Sequence, residues 1–182
     1  QVAINTGAKG PNLVLTSACA SSLHAIGHAY SEILLGRCEA VITGGMEATI
    51  TPMGISGFTS MKALCTQYDE TPHKASRPFD LTRAGFVMGE GAAMLMLESL
   101  DSARARGAKI YAEIVGFGAS DDAYHMVAPL ETGAGAASAM RRALKDAGLS
   151  PEKIRHISAH GTSTHANDAG ETRAIKAVFG KH

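Results

Sequence analysis

The stretch Val14-Leu-Thr-Ser-Ala-Cys19-Ala-Ser-Ser-Leu23 decides the fold, because a hydrophobic strand is predicted to end just before its one cysteine and a helix to begin just after it. Backbone N–H groups in the first turn of a helix are unpaired and the helix dipole is positive there, so this position favours the thiolate of Cys19. Small neighbours such as Ala18 allow a sharp elbow and the close approach of a substrate. A buried structural cysteine is the alternative, and this stretch alone does not separate the two.

The composition is that of a globular protein with a real core. Of the 182 residues 45% are hydrophobic and 19% are charged, and the formal net charge is zero. No apolar run reaches bilayer length and the first residues carry no export signal, so neither a membrane span nor secretion is expected. Without a basic cluster there is no electrostatic argument for binding nucleic acid or an anionic membrane.

The cysteines and histidines give little support for a disulfide or a metal. There are 3 cysteines, an odd number without a CxxC pair, which argues against a disulfide framework and fits a reducing cytoplasm. His24 and His28 lie four apart on one predicted helix, but no third ligand is near them in sequence. A helix surface or a subunit contact is the favoured interpretation, and no metal is expected.

Strands and helices alternate along the chain, which predicts an α/β protein with a mostly parallel sheet covered on both faces. Hydrophobic patterns predict strands at residues 40–45, 92–98, 110–118 and 154–159, and helices at residues 20–35, 99–106, 135–147 and 168–179. The helix at 20–35 is expected to be largely buried, and Asp168 is expected to cap the last helix. Residues 51–80 read as a long functional loop with one short helical piece near residues 60–64.

A histidine follows the predicted strand at 154–159. His160 comes before the last predicted helix, in the sequence His160-Gly-Thr-Ser-Thr164. Because the ends of parallel strands meet at one edge of a sheet, Cys19 and His160 are expected to form a nucleophile-and-base arrangement.

Four motifs in this order carry a resemblance to a known family: Thr6-Gly-Ala-Lys-Gly-Pro-Asn12, the cysteine elbow, Gly89-Glu-Gly91 and the His160 loop. Through essentially its whole length the chain resembles the ketosynthases, and among them the beta-ketoacyl-acyl-carrier-protein synthase II group of bacterial-type fatty acid synthesis. The resemblance implies a thiolase-like layered α/β/α/β/α fold. It also implies decarboxylative Claisen condensation of malonyl-acyl carrier protein with an acyl-enzyme thioester in fatty acid elongation.

The resemblance assigns roles to individual residues. Cys19 would carry the acyl chain as a thioester, and its backbone N–H would form part of the oxyanion hole. His160 would bind the malonyl thioester and stabilise the enolate left by decarboxylation. The other matching positions are Thr162 and Thr164 for the phosphopantetheine arm, Phe58, Gly54 and Ala18 for the acyl-chain pocket, and Asp168 and Glu171 as acidic residues behind the histidine. Without the resemblance, these are loop hydroxyls, an aromatic core residue and first-turn acids of a helix.

The resemblance further identifies residues 1–182 as a central, incomplete part of a ketosynthase, with about 1–98 ending its N-terminal half and about 99–182 starting its C-terminal half. The family's second histidine and glycine-phenylalanine gating loop are not among these residues, so they are expected to be inactive alone. No metal or redox cofactor is implied, since the substrate travels on the phosphopantetheine of acyl carrier protein. The implied setting is a cytoplasmic homodimer, paired across its two-fold axis near residues 41–44.

Other functions stay open. A polyketide ketosynthase would share the fold, although residues 7–12 favour the fatty acid branch. The chain-length-factor relatives lack the cysteine, so Cys19 argues against that class. A hydrolase would also place its nucleophile between a strand and a helix, but its Gly-x-Ser-x-Gly pattern is missing. A folded scaffold or an interaction module is the remaining alternative.

Overall fold

The computed structural model describes residues 1–180, which divide into two compact units. The first unit combines Gln1–Glu47 with Gly91–Ile114, and the second combines Ala48–Glu90 with Val115–His182, whose last two residues lie outside the described part. The helices are α1 (Val2–Thr6), α2 (Ser21–Leu34), α3 (Pro52–Ser60), α4 (Leu100–Ala105), α5 (Ala134–Ala147) and α6 (His165–Phe179); the strands are β1 (Ala40–Glu47) and β2 (Gly91–Glu98). Short 3₁₀ turns span Pro72–Lys74 and Pro151–Lys153.

The first unit is built on a two-stranded sheet. β1 and β2 are antiparallel, with Ala40 opposite Glu98 at one end and Glu47 opposite Gly91 at the other. The prediction of mostly parallel pairing is therefore wrong for this sheet. The positions of both strands were predicted, but hydrophobic patterns carry no information on strand direction, which depends on where the segment Ala48–Glu90 returns the chain.

Two predicted strands have no counterpart among residues 1–180. The segments 110–118 and 154–159 are apolar, yet the described part of the chain places no ladder partner beside either of them. A strand exists only through the hydrogen bonds of its neighbour, so apolar sequence alone did not suffice. The helix predicted near residues 60–64 is also wrong, because α3 ends at Ser60.

Two consecutive glycines let α2 lie close against the sheet. Gly44 has φ of 151°, in the region that disfavours side chains, and a β-carbon there would collide with the Ala93 carbonyl of β2. A β-carbon on Gly45 would collide with the hydroxyl of Ser22, in the first turn of α2. These glycines thus bring the start of α2, just after Cys19, into direct contact with β1.

The first unit exposes much of its apolar surface. The extent of α2 agrees with the predicted helix, but its predicted burial is wrong, since only Gly27 and Ala29 are buried and Leu23 is 65% exposed. Along β2, Met94, Leu95 and Met96 are also exposed. Periodicity identifies an apolar face but not what covers it. No helix within residues 1–180 is both long and apolar enough to cross a bilayer.

Candidate active site

The cysteine elbow belongs to the first unit and is tightly turned. Ala18 has φ of 49°, and the Ala20 and Ser21 N–H groups donate to the Ser17 and Ala18 carbonyls at 3.1 Å each. The Ser21 hydroxyl accepts from the Ser17 N–H at 2.8 Å and donates to the Ala18 carbonyl at 2.7 Å. Cys19 is exposed, so the alternative of a buried structural cysteine is wrong.

A histidine of α2 fixes the residue before the strained turn. The Ser17 hydroxyl lies 2.6 Å from Nδ1 of His24, so the second turn of the helix is linked back to the elbow. This contact gives His24 a local structural role in the unit. No group of three possible metal ligands occurs within the described residues.

In the second unit, the backbone at His160 is held by one carboxylate. Glu171, on α6, accepts the His160 N–H at 2.6 Å and the Gly161 N–H at 2.9 Å through its two oxygens. The Asn167 amide donates to the same carboxylate at 3.3 Å. Glu171 therefore fixes the main chain from which the exposed His160 side chain projects.

The two threonines predicted to bind the thioester arm are adjacent. Their hydroxyl oxygens, on Thr162 and Thr164, lie 2.8 Å apart, and both residues are half-buried. Thr164 is the N-cap of α6, because its hydroxyl accepts the Asn167 N–H at 3.3 Å. The prediction that Asp168 caps this helix is wrong, since the helix begins three residues earlier at His165.

Asp168 instead forms a buried centre of hydrogen bonds. It is 2% exposed, and its carboxylate accepts the Phe79 N–H at 2.7 Å and the Ser163 N–H at 3.1 Å. The guanidinium of Arg83 lies 3.3 Å away. A buried carboxylate needs such partners to offset its lost hydration, so Asp168 joins the loop before α6 to residues 79–83.

The residues predicted to line an acyl-chain pocket lie on two units. Gly54 and Phe58 are on α3, whereas Ala18 is in the elbow of the first unit. The Phe58 ring meets that of Phe86 edge-on at 5.0 Å, which holds it in a defined position. A β-carbon on Gly54 would collide with the Thr49 carbonyl, so glycine is required there by local packing.

The residues near the histidine include several that the sequence did not reveal. The second unit brings His160, Thr162, Thr164, Asp168 and Glu171 onto one loop and the start of α6. The added residues are Phe79, Arg83 and Ser163, for which a single sequence offers no signal because their contacts join distant parts of the chain. Pairing of Cys19 with His160 stays a prediction.

Electrostatics also order the segment that carries Phe79 and Arg83. The Thr82 hydroxyl and then the Thr82 backbone N–H donate to Asp80, at 2.6 and 2.7 Å, and lower the pKa of this carboxyl below its usual value. Arg77 and Arg83 act in the same direction. The segment is thus a turn closed by hydrogen bonds to the Asp80 carboxylate.

One cavity of the second unit is not lined by the residues of the predicted site. It measures about 1140 Å³ and opens beside α6, where Ile154, Ile157, Ile175 and Phe179 line it. None of the predicted site residues lines this cavity. The cavity is an open groove beside the apolar side chains of residues 154–159, which the sequence predicts to form a strand.

Sequence comparison places these features in a family. Residues 1–103 match the profile of the beta-ketoacyl synthase N-terminal domain, and residues 111–182 match that of the beta-ketoacyl synthase C-terminal domain. The chain belongs to the beta-ketoacyl synthases. The resemblance inferred from the four motifs is thereby confirmed.

Relatives within the beta-ketoacyl synthases agree in name. The chain is 55% identical over 180 residues to a 3-oxoacyl-[acyl-carrier-protein] synthase 2 of Synechocystis, covering 99% of this chain and 43% of the relative. It is 52% identical over 182 residues to the synthase 2 of Staphylococcus aureus, covering 100% of this chain and 44% of the relative. The chain therefore spans less than half the length of these curated relatives.

Solved structures confirm the fold class. A ketosynthase of a type II polyketide system, in complex with its acyl-carrier protein and bound to a hexaketide, matches with a TM-score of 0.96 and 40% identity over 99% of this chain and 44% of its own. A beta-ketoacyl synthase of Burkholderia phymatum matches with a TM-score of 0.93 and 44% identity, covering 98% of this chain and 43% of its own. The chain thus has part of the thiolase-like α/β fold that the motifs predict.

Proposed function

We propose that this protein is an elongating ketosynthase, which condenses malonyl-acyl carrier protein with an acyl chain held on Cys19. The observation that carries the proposal is an exposed cysteine at the start of α2 in a chain about half identical to 3-oxoacyl-acyl-carrier-protein synthases. Of the functions weighed, the hydrolase lacks its nucleophile motif, and a pure scaffold does not require an accessible thiol at this elbow.

In the first half-reaction, the Cys19 thiolate attacks the carbonyl carbon of an acyl thioester. The new C–S bond forms as the phosphopantetheine thiol leaves and takes up a proton. The sharp elbow, with Ala18 in the left-handed region, exposes the sulfur, and the backbone N–H of Cys19 would donate to the developing oxyanion. The acyl chain would extend along Phe58 and Gly54.

In the second half-reaction, malonyl thioester loses CO₂ and its α-carbon becomes the nucleophile of an enolate. An N–H of the His160 imidazole would stabilise the enolate oxygen. The α-carbon attacks the acyl-cysteine, so a C–C bond forms, the C–S bond breaks and the thiolate of Cys19 is regenerated. Thr162 and Thr164 would hold the phosphopantetheine arm, while Glu171 fixes the backbone of His160.

The proposed partners follow from this chemistry. Acyl carrier protein would deliver both thioesters, and one structural relative is seen in complex with such a carrier protein. The scheme uses no metal or redox cofactor, since acyl transfer and decarboxylation proceed by nucleophilic and electrostatic catalysis. We also propose a homodimer, paired near residues 41–44, and a cytoplasmic location; an odd number of cysteines without a CxxC pair argues against a disulfide framework and fits this location.

The decisive test measures carbon–carbon bond formation by the protein expressed from its complete coding sequence. Radiolabelled malonyl-acyl carrier protein and an acyl-carrier-protein primer should give a 3-oxoacyl product, and C19A should give none. C38S is the matched control, because Cys38 is also a free cysteine but lies outside the elbow. Release of free fatty acid from the primer without use of malonyl groups would refute the proposal in favour of a hydrolase.

A second candidate is polyketide condensation, favoured by the structural match to a ketosynthase bound to a hexaketide. Rates measured with saturated acyl primers of several lengths and with poly-β-ketone primers separate the two activities. Preference for saturated primers is the expected result.

Residues 1–182 alone are expected to form no product, because the second histidine and the gating loop implied by the family are not among them.

A further inference from the structure

Arg83 makes an unusually dense set of contacts with the loop that precedes α6. Its side chain is only 15% exposed. Nε donates to the Thr164 carbonyl at 3.2 Å and lies 3.3 Å from the Asp168 carboxylate, while one terminal nitrogen donates to the His165 carbonyl at 3.1 Å. The other terminal nitrogen donates to the Asp80 carbonyl at 3.0 Å. A planar guanidinium is suited to such fixed, divergent hydrogen bonds.

The residue held by this arrangement has a strained backbone. Ser163 is 1% exposed and has φ of 69°, a left-handed conformation that a non-glycine residue adopts only when its surroundings impose it. Its N–H donates to Asp168, its hydroxyl accepts the Arg77 N–H at 3.1 Å, and its carbonyl accepts the Gly85 N–H at 3.2 Å. Every polar group of Ser163 is therefore tied to this framework.

Two carboxylates divide the loop between them. Glu171 holds the end that carries His160 and Gly161, whereas Asp168, backed by Arg83, holds Ser163 between the two threonines. The part of the loop with His160 and the part with the two threonines are consequently held by different contacts. A change at Arg83 should loosen the second without removing the first.

We propose that Arg83 is a positioning residue for the thioester arm: it fixes the Ser163 turn and thereby the hydroxyls of Thr162 and Thr164. This inference rests on the proposed function, in which these hydroxyls bind phosphopantetheine. The arm does not itself react, so its loosened binding raises the KM for the carrier-bound substrate more than it lowers kcat. Arg83 touches no reacting atom and acts only through the loop.

Arg77 provides a matched control on the same segment. Its guanidinium donates to the Lys74 carbonyl at 2.7 Å, contacts Thr82 and lies over the Tyr68 ring. None of these side-chain contacts reaches residues 160–168 in the described structure. R77Q therefore removes the same charge without removing a contact to the loop.

The first measurement is steady-state condensation by the protein expressed from its complete coding sequence, with malonyl-acyl carrier protein varied at saturating primer. R83Q is expected to raise the KM about tenfold, because small displacements of groups that bind substrate have large effects. The kcat is expected to stay within about threefold, because the arm does not itself react. R83K is expected to behave similarly, since an ammonium group cannot reproduce the guanidinium fork. R77Q is expected to stay within about twofold of the unmutated protein.

The second measurement does not depend on activity. Hydrogen exchange at the Ser163 and Phe79 amides, both donors to Asp168, should accelerate about tenfold in R83Q and stay unchanged in R77Q. If R83Q does not fold, R83K is used for both measurements. Faster exchange in a protein without condensing activity would support the positioning role and refute the proposed function.

Three results would overturn the inference. One is an active protein in which the R83Q and R83K variants keep the original KM. Another is a fall in kcat with unchanged KM, which would place the effect at the reacting end of the loop. The third is an equal rise of KM in R77Q, which would show that loss of any arginine in this segment has the same effect.

Discussion

The hold of Glu171 on the His160 backbone gives a quantitative prediction. In E171Q, one carboxylate oxygen becomes an NH₂ group, which cannot accept a hydrogen bond, so only one of the His160 and Gly161 N–H groups keeps its partner. A hydrogen bond to a charged group contributes about 1.5–3 kcal/mol, and the lower value applies because Glu171 is only half-buried. E171A loses both bonds, or about 3 kcal/mol of local stability on the same scale.

Amide hydrogen exchange reads this loss directly. Since about 1.4 kcal/mol corresponds to a factor of ten, E171Q should speed exchange at one of the two amides about tenfold, and E171A should speed it at both by about a hundredfold. E131Q is the control, because Glu131 is exposed and its side chain takes no part in the network around His160. Exchange at both amides within twofold of the unmutated rate in E171A would refute the reasoning, because the loop would then be held by other contacts.

Three further predictions concern the first unit. G45V should lower the midpoint of thermal unfolding by several degrees, because the new side chain collides with Ser22, and unchanged melting would contradict the close packing. Hydrogen bonds from Arg106 and then from Ser102 lower the pKa of Glu98 below its usual value. The ionised Glu98 therefore stabilises the folded protein fully above the pKa of the unfolded state, and this contribution is lost as the pH falls through the lower pKa of the folded state. In urea titrations at several pH values, E98Q should reduce the fall in the free energy of unfolding at acid pH. Iodoacetamide should modify Cys19 faster than either of the other cysteines, which are half-buried, as peptide mass mapping would show; equal rates would count against an accessible elbow.

Local patterns predicted the helices best. The predicted helix at 135–147 differs from α5 by one residue, and its end is set by Gly148, whose φ of 63° is the left-handed conformation that stops a helix. α3 was missed although Thr51 and Pro52 form a standard start signal, because two glycines inside the helix made the region look like a loop. The signal was therefore present but was outweighed by composition.

Pairing and burial were beyond the reach of a single sequence. The apolar runs at 110–118 and 154–159 look like strands, yet their state depends on partners elsewhere and not on their own residues. The direction of β1 against β2 likewise depends on the path of the intervening chain. The bounds of α2 could be predicted because they depend on local sequence. Its exposed face could not, because burial depends on what packs against the helix.

In the candidate site, too, some residues could be predicted from the sequence and others could not. Cys19 and His160 stood out because residue type and position at element ends suggest chemistry, and the family resemblance added Thr162, Thr164 and Glu171. The contact between Arg83 and Asp168 had no local signature, since it links a loop to the first turn of α6 through side chains that are far apart in sequence. Tertiary contacts of this kind decide how a loop is held, and they are visible only in three dimensions.

The chain passes from one unit to the other at Glu47–Ala48, at Glu90–Gly91 and at Ile114–Val115. The first two passages leave from residues that face each other across the ladder, because Glu47 pairs with Gly91. Neither unit is a contiguous stretch of gene, and no single truncation releases either one intact. A protease that nicks the backbone at Glu47–Ala48 or at Glu90–Gly91 would leave β1 and β2 on different fragments, and the strand pair would still hold these fragments together.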